Sequence, residues 1–163
     1  MQEVFGVFVA SFWILFVYLH RVCWWNLAHS AGGRTALEKV WTHLQSAYGE
    51  WMTGSEKRER KIVHPALLWP VFLFAAECIE ENRKTWAIDQ LEALAQARPV
   101  LQLHDDEDEE ILPPFRIGFG ATRNAKRAAV LLRELVDQQA KLGARVDDRD
   151  LSMKLFGCCF SFV

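Results

Sequence analysis

Residues 64–79, HPALLWPVFLFAAECI, restrict the fold of this chain more than any other stretch. From 65 to 76 no side chain is charged, and Trp69, Phe72 and Phe74 stand among Leu, Val and Ala. A surface helix carries an apolar stripe and a polar face; a helix apolar on every side needs cover on every side. The run is too short to cross a bilayer, which takes about 20 residues. It therefore predicts a central helix over residues 65–79 of an all-α core. Pro65 suits a first helical position, where a missing N–H loses no partner. Pro70 removes a backbone hydrogen bond and crowds the preceding turn, so it should kink the helix or end its first turn.

A second apolar run, residues 4–19, is uncharged over sixteen positions and continues to 27 with only His20 and Arg21 interrupting it. A signal peptide fits poorly, because Met-Gln-Glu offers no basic leader and no small-residue cleavage site follows. A membrane anchor meets a run slightly short for a bilayer and diluted by Gly6 and Ser11. The third reading, a core helix covered by its neighbours, is preferred because the central helix needs an apolar partner of this kind. His20 and Arg21 would then mark where that helix reaches the surface.

The remaining segments read as helices and connections. Ala31-Gly32-Gly33 should break the first helix, with Thr35 and Glu38 forming a capping box for the next. Leu37, Val40, Trp41, Leu44, Ala47, Tyr48 and Trp51 recur at three- and four-residue steps. Residues 53–61 are polar and charge-dense, a solvated connection with Gly54 placed to stop the helix. Glu80-Glu81-Asn82 puts acids at a helix start, and Ala87, Ile88, Leu91, Leu94 and Ala95 form the stripe that Pro99 ends. Residues 101–120 form an irregular acidic and Pro/Gly loop. Residues 124–142 resume as an amphipathic helix closed by Gly143, and 147–156 form a short last helix released by Gly157. No alternation of polarity persists, so the fold class is all-α: a single irregular bundle of about six helices, spanning 1–163.

Charge and cysteine content exclude several functions. Net charge is −2, and setting aside the six acids at 105–110 turns it into +4, too mild for a nucleic-acid face. Of the four cysteines, none forms a C-x-x-C pair or has a histidine at finger spacing. Cys23 and Cys78 read as small buried hydrophobes, and the absence of a disulfide pattern favours a reducing compartment. Seven tryptophans and eleven phenylalanines demand thick multi-helix packing.

The candidate chemistry is thin. His104 and the acids after it lack the alternate ligands and central glycine of a calcium loop, so a solvated loop is preferred. With Ile111, Leu112 and Phe115 alongside, the run also matches a disordered activation segment. Gly118-Phe119-Gly120 ahead of Arg123, Lys126 and Arg127 lacks a P-loop ending and reads as a flexible lead-in to a basic helix. His20, His29, His43, His64 and His104 show no i, i+4 pairing for metal. Glu77, after a long uncharged run, is either a buried acid seeking an arginine or, the preferred account, the point where the helix emerges. Cys159 misses a prenylation box by one position. Leu155, Phe156, Phe160 and Phe162 should pack back on the bundle. No catalytic or metal-ligating residue is assigned, no cofactor is implied, and the chain reads as a non-enzyme.

Leu67-Leu68-Trp69-Pro70-Val71-Phe72-Leu73-Phe74-Ala75-Ala76-Glu77-Cys78, followed by Arg83 and Trp86, resembles the most recognisable segment of the fungal-specific transcription factor domain. Tyr18-Leu19-His20-Arg21 resembles a helix upstream of it in that family, residues 124–136 its late helix, and residues 148–163 its closing helix. Ala75-Ala76 stands where the family often has glycine, and the acidic run looks like an insertion. The resemblance covers only the last part of the family's domain; the six-cysteine zinc cluster that binds DNA has no counterpart here. It implies the C-terminal part of a regulatory domain, truncated or a remnant, nuclear, acting in RNA polymerase II transcription through protein or effector contacts. Its partners would be other proteins or the missing N-terminal part, with no direct nucleic-acid contact within the chain. Trp69, Pro70, Phe72 and Arg83 are the residues expected to matter structurally. Missing helices would leave Phe5, Phe8, Phe12 and Trp13 uncovered. The alternative is a small membrane-anchored helical protein using residues 4–27 as its anchor.

Overall fold

The structure, a computed structural model, describes residues 2–25, 27–49, 63–96 and 119–159. Among the described residues six α-helices follow one another: α1 (Gln2–Cys23), α2 (Ala31–Gly49), α3 (Leu68–Glu77), α4 (Glu81–Gln96), α5 (Phe119–Leu142) and α6 (Asp148–Phe156). Among the described residues there is no strand, and the all-α reading holds. The acidic run 105–110, the charge-dense 53–61 connection with Gly54, and the Phe160 and Phe162 tail lie outside the described residues.

α3 is the hub, touching α1, α2, α4 and α5. Every residue from Leu68 to Glu77 is buried except the half-buried Trp69, as an all-round apolar sequence requires. The element is shorter than the 65–79 helix expected from sequence. Pro65–Leu67 form a tight 3-10 turn capped by His64, whose Nδ1 accepts from the Ala66 N–H at 3.0 Å. The α-helix begins only at Leu68. Pro70 thus falls in a first turn, where its missing N–H leaves no helical bond unmade. At the other end Cys78 turns extended and Ile79 is out in solvent.

α1 and α2 form a helical hairpin with the most extensive packing among the described helices, and α1 also touches α3. The two apolar runs therefore do meet, but α2 is the larger neighbour of α1. The expected break at Ala31-Gly32-Gly33 is instead the first turn of α2. Ser30, not Thr35, caps it: Ser30 Oγ accepts from the Gly33 N–H at 3.1 Å. Thr35 lies inside the helix and donates its hydroxyl to the Ala31 carbonyl at 3.0 Å. The α2 stripe is as expected where described, with Leu37, Val40 and Leu44 buried.

Trp41 of that stripe stacks on Phe74 with ring centroids 5.5 Å apart and meets the edge of Trp86 at 5.0 Å. Arg83 lies over the Trp41 ring and holds Glu38 through two bonds of 2.7 and 3.2 Å. One arginine on α4 so fastens α2 and α4 together around the Phe74 ring. α5 begins earlier than residue 124, at Phe119, and packs along α4. Gly143 and Gly157 close α5 and α6 at positive φ (+62° and +69°), a conformation other residues adopt only under strain.

Several expectations about exposure need correction. Cys23 is exposed, because it ends α1 on the outer side; Cys78 is buried as expected. Leu155 is exposed, while Phe156 is half-buried with Arg127 over its ring. His20 and Arg21, placed at the surface by sequence, are buried. Phe5, Phe8 and Phe12 stand uncovered as anticipated, but Trp13 packs partly against the core.

Candidate functional site

The burial of Arg21 and the burial of Glu77 explain each other. Glu77 is the last residue of α3, its side chain fully enclosed, and sequence gave preference to its emergence into solvent. Instead it meets three cationic or polar partners brought by three other parts of the chain. Arg21, from the last turn of α1, donates through Nη1 to Glu77 Oε1. His29, from the α1–α2 connection, brings Nε2 to 2.9 Å from Oε2. Arg145, from the α5–α6 connection, brings Nη2 to 2.8 Å from the same oxygen. These last two contacts are close but poorly angled, so Oε2 has no well-formed hydrogen bond.

The second guanidinium nitrogen of Arg21 donates to Asp148 Oδ1 at 2.6 Å and to the Val146 carbonyl at 3.1 Å. Its plane lies over the Trp25 ring, 4.6 Å from the centroid. Arg145 reaches back to the Trp25 carbonyl at 3.0 Å and the Trp24 carbonyl at 3.4 Å. Two arginines thus balance two carboxylates, which is what allows charges to be taken out of water. Bidentate and forked donation suits arginine and would not suit lysine.

Electrostatics at the centre follow from this geometry. Burial alone would push the Glu77 carboxyl up, but the His29 contact and the two guanidiniums overrule it and hold it below the usual carboxylate range. His20 is held below the ordinary histidine value, first by burial and then by the neighbouring His29 and Arg145. Its Nε2 accepts from the Ser30 N–H at 3.2 Å, which puts the ring proton on Nδ1, a buried atom with no partner. The His20 and His29 rings lie 4.8 Å apart.

A cleft of about 550 Å³ opens beside this cluster, between the start of α2, the α3–α4 turn and the end of α5. Glu77, His29 and Arg145 form part of its wall, with Arg34, Arg83 and Lys84 among the rest. Gln139 closes one side by donating to the Ala76 carbonyl at 3.1 Å. The cleft could take a small polar molecule by its mixed charge. Among the described residues, no three or more His, Cys, Asp and Glu side chains gather as a metal site.

Of the residues singled out in sequence, Pro70 and Phe72 lie in the core, Trp69 is half-buried beside Tyr18, and Arg83 is the α2–α4 fastener. Arg123 and Lys126 are exposed on α5, and Gly120 is helical, so no glycine-rich cradle stands before them among the described residues. His29 and Arg145 carried no signal in sequence, and Asp148 only its place at the start of the stretch that resembles the family's closing helix. No family model, no curated protein and no solved structure matches this chain.

Proposed function

We propose that the chain is the C-terminal part of the regulatory domain of a fungal zinc-cluster transcription regulator, a nuclear, non-catalytic module working through protein or effector contacts. One observation supports this reading most directly. One residue from each of three stretches that resemble the family (Arg21 of 18–21, Glu77 of 67–78 and Asp148 of 148–163) meets the others at the Arg21 guanidinium. Tyr18 and Trp69, from the first two stretches, also meet edge to face with centroids 5.9 Å apart. Residues that carry the resemblance therefore hold one another, as parts of one inherited core would. The cleft beside them is where an effector contact would reach that core.

The test is a fusion of the full chain to a heterologous zinc-cluster DNA-binding domain, read by a reporter gene in a fungal cell. The expected result is nuclear protein and a several-fold change in reporter output that Arg21→Ala abolishes. Unchanged output from a folded, nuclear fusion would refute it. An in-frame six-cysteine cluster upstream of Met1 is the corresponding expectation at the level of the gene.

The second reading, a membrane anchor in residues 4–27, is favoured by one fact: Phe5–Cys23 is long and apolar enough to cross a bilayer. Against it, α2 lies along α1 and carries Arg34, Glu38 and Lys39 in the open, charges that would follow α1 into lipid at high cost. Carbonate extraction of membranes separates the readings, since an anchored chain stays until detergent is added.

A further inference from the structure

α1 has two apolar sides, and only one is used. Ala10 and Val17 are fully buried against the bundle, with Ile14 beside them. On the opposite side Phe5, Phe8, Phe12, Leu15, Leu19 and Val22 are between 47% and 70% exposed. Their spacing alternates three and four residues without a break, the a/d repeat that seats one helix on another. In that register Ala10 and Val17 fall at f, facing away from the seam, which is why the two apolar sides do not compete. A lipid-facing helix has no need of this repeat.

We infer that this seam docks a second copy of the same chain, α1 against α1 in antiparallel orientation, in place of the missing helices that the family resemblance would set against it. The order of side-chain sizes fixes the direction. Phenylalanines occupy the first three seam positions and Leu, Leu and Val the last three. Antiparallel pairing sets Phe5 opposite Val22, Phe8 opposite Leu19 and Phe12 opposite Leu15, an a position facing a d position in every layer. Each layer then joins one large and one smaller side chain, which packs evenly, whereas parallel pairing would crowd Phe on Phe at one end and leave the other thin. Opposed helix dipoles favour the same direction.

The seam carries no charged side chain, so two copies meet without repulsion. With Phe16 flanking it, the seam offers roughly 700 Å² of apolar surface per copy, judged from the usual areas of such side chains. A stable two-fold interface takes about 800 Å² per partner, and the rims of α1 supply the rest. The contact is isologous and closes on itself, giving a dimer and nothing larger.

The deciding measurement is the mass of the full 163-residue chain by sedimentation equilibrium at micromolar concentration. The expected mass is twice that of the 18.8 kDa monomer. Phe12→Glu should halve it with helicity unchanged, because Phe12 is exposed within one copy. The double variant F12E/L15K should restore the dimer, since antiparallel pairing puts glutamate against lysine in both central layers; parallel pairing would set like charge on like. A monomeric wild-type chain, an open-ended aggregate, a dimer that survives Phe12→Glu, or a chain that pellets with neutral phospholipid vesicles until detergent is added would each overturn the proposal. Failure of F12E/L15K to recover the dimer would overturn the orientation.

Discussion

Arg21 and Glu77 are separated by 56 positions in the chain and share one enclosed ion pair, with side chains 5% and 0% exposed. Neither residue has a reason to be where it is without the other. A carboxylate or guanidinium shut away alone costs several kcal/mol, and the pair is tolerable only with its full set of contacts.

Removing one member should therefore be worse than removing both. Glu77→Met leaves Arg145 without its carboxylate and Arg21 with Asp148 alone, and is expected to lower stability by about 3–5 kcal/mol. Adding Arg21→Met should recover at least half of that loss, as apolar replacement of a buried pair often does. Urea denaturation of the two single variants and the double variant gives the coupling. Additive losses would contradict the account.

Acidification should weaken the fold in two stages. His20, and His64 by burial alone, are held below the ordinary histidine value of 6.5. As pH falls through about 6.5 the unfolded chain takes up protons that the folded chain refuses, so stability drops. Glu77 is held below its ordinary 4.5, so its contribution is present above that value and is lost as pH falls further. Melting temperatures should be level above about pH 7, fall as pH passes 6.5 and fall again below 4.5, with a shallower upper limb in His20→Gln. A rise between pH 7 and 5.5 would run against this.

Thiol chemistry should sort the four cysteines. Cys23, Cys158 and Cys159 are exposed, while burial pushes the Cys78 thiol up to about 12. An aromatic disulfide reagent at pH 8 should modify three thiols quickly and the fourth only at the rate of unfolding. Fast reaction of all four would show the α3–α4 turn to be open.

Gly33→Ala should disturb the ion cluster from a distance. A Cβ at that position would meet His29 Nδ1 at 3.0 Å and His20 Cδ2 at 3.5 Å. The His29 ring must shift, loosening its contact with Glu77, and a loss of roughly 1–3 kcal/mol is expected for such crowding. Gly32→Ala, where only Ser30 Oγ lies near, at 3.8 Å, should be neutral or stabilising, since alanine is the better helix former. Equal effects of the two substitutions would refute the crowding.

What sequence could reveal divides along physical lines. Helix class, the buried α3 and the α2 and α4 stripes rest on periodicity, which neighbouring residues carry among themselves. The central cluster rests on long-range meeting, which periodicity does not record. A trace of it was present even so: Arg21 and Glu77 are opposite charges, each following a long uncharged run, and together they suggest a pair that neither suggests alone. His29, Arg145 and Asp148 sit in or beside connections, where polar residues are ordinary. Thr35 misled because a capping-box spacing recurs by chance inside helices, and Ser30 five residues earlier met the geometric need first.

Arg145 grips the carbonyls of Trp24 and Trp25 across 121 and 120 positions, and Arg21 reaches Asp148 across 127. During synthesis the first hairpin leaves the ribosome long before its partners exist, with Arg21 unpaired and the Phe5–Val22 face bare. The ionic closure therefore comes last, once the α5–α6 connection has been made. A nascent chain stalled short of Arg145 would be a substrate for chaperones that hold apolar helices, and the finished chain would escape them only once its Phe5–Val22 face has met a second copy.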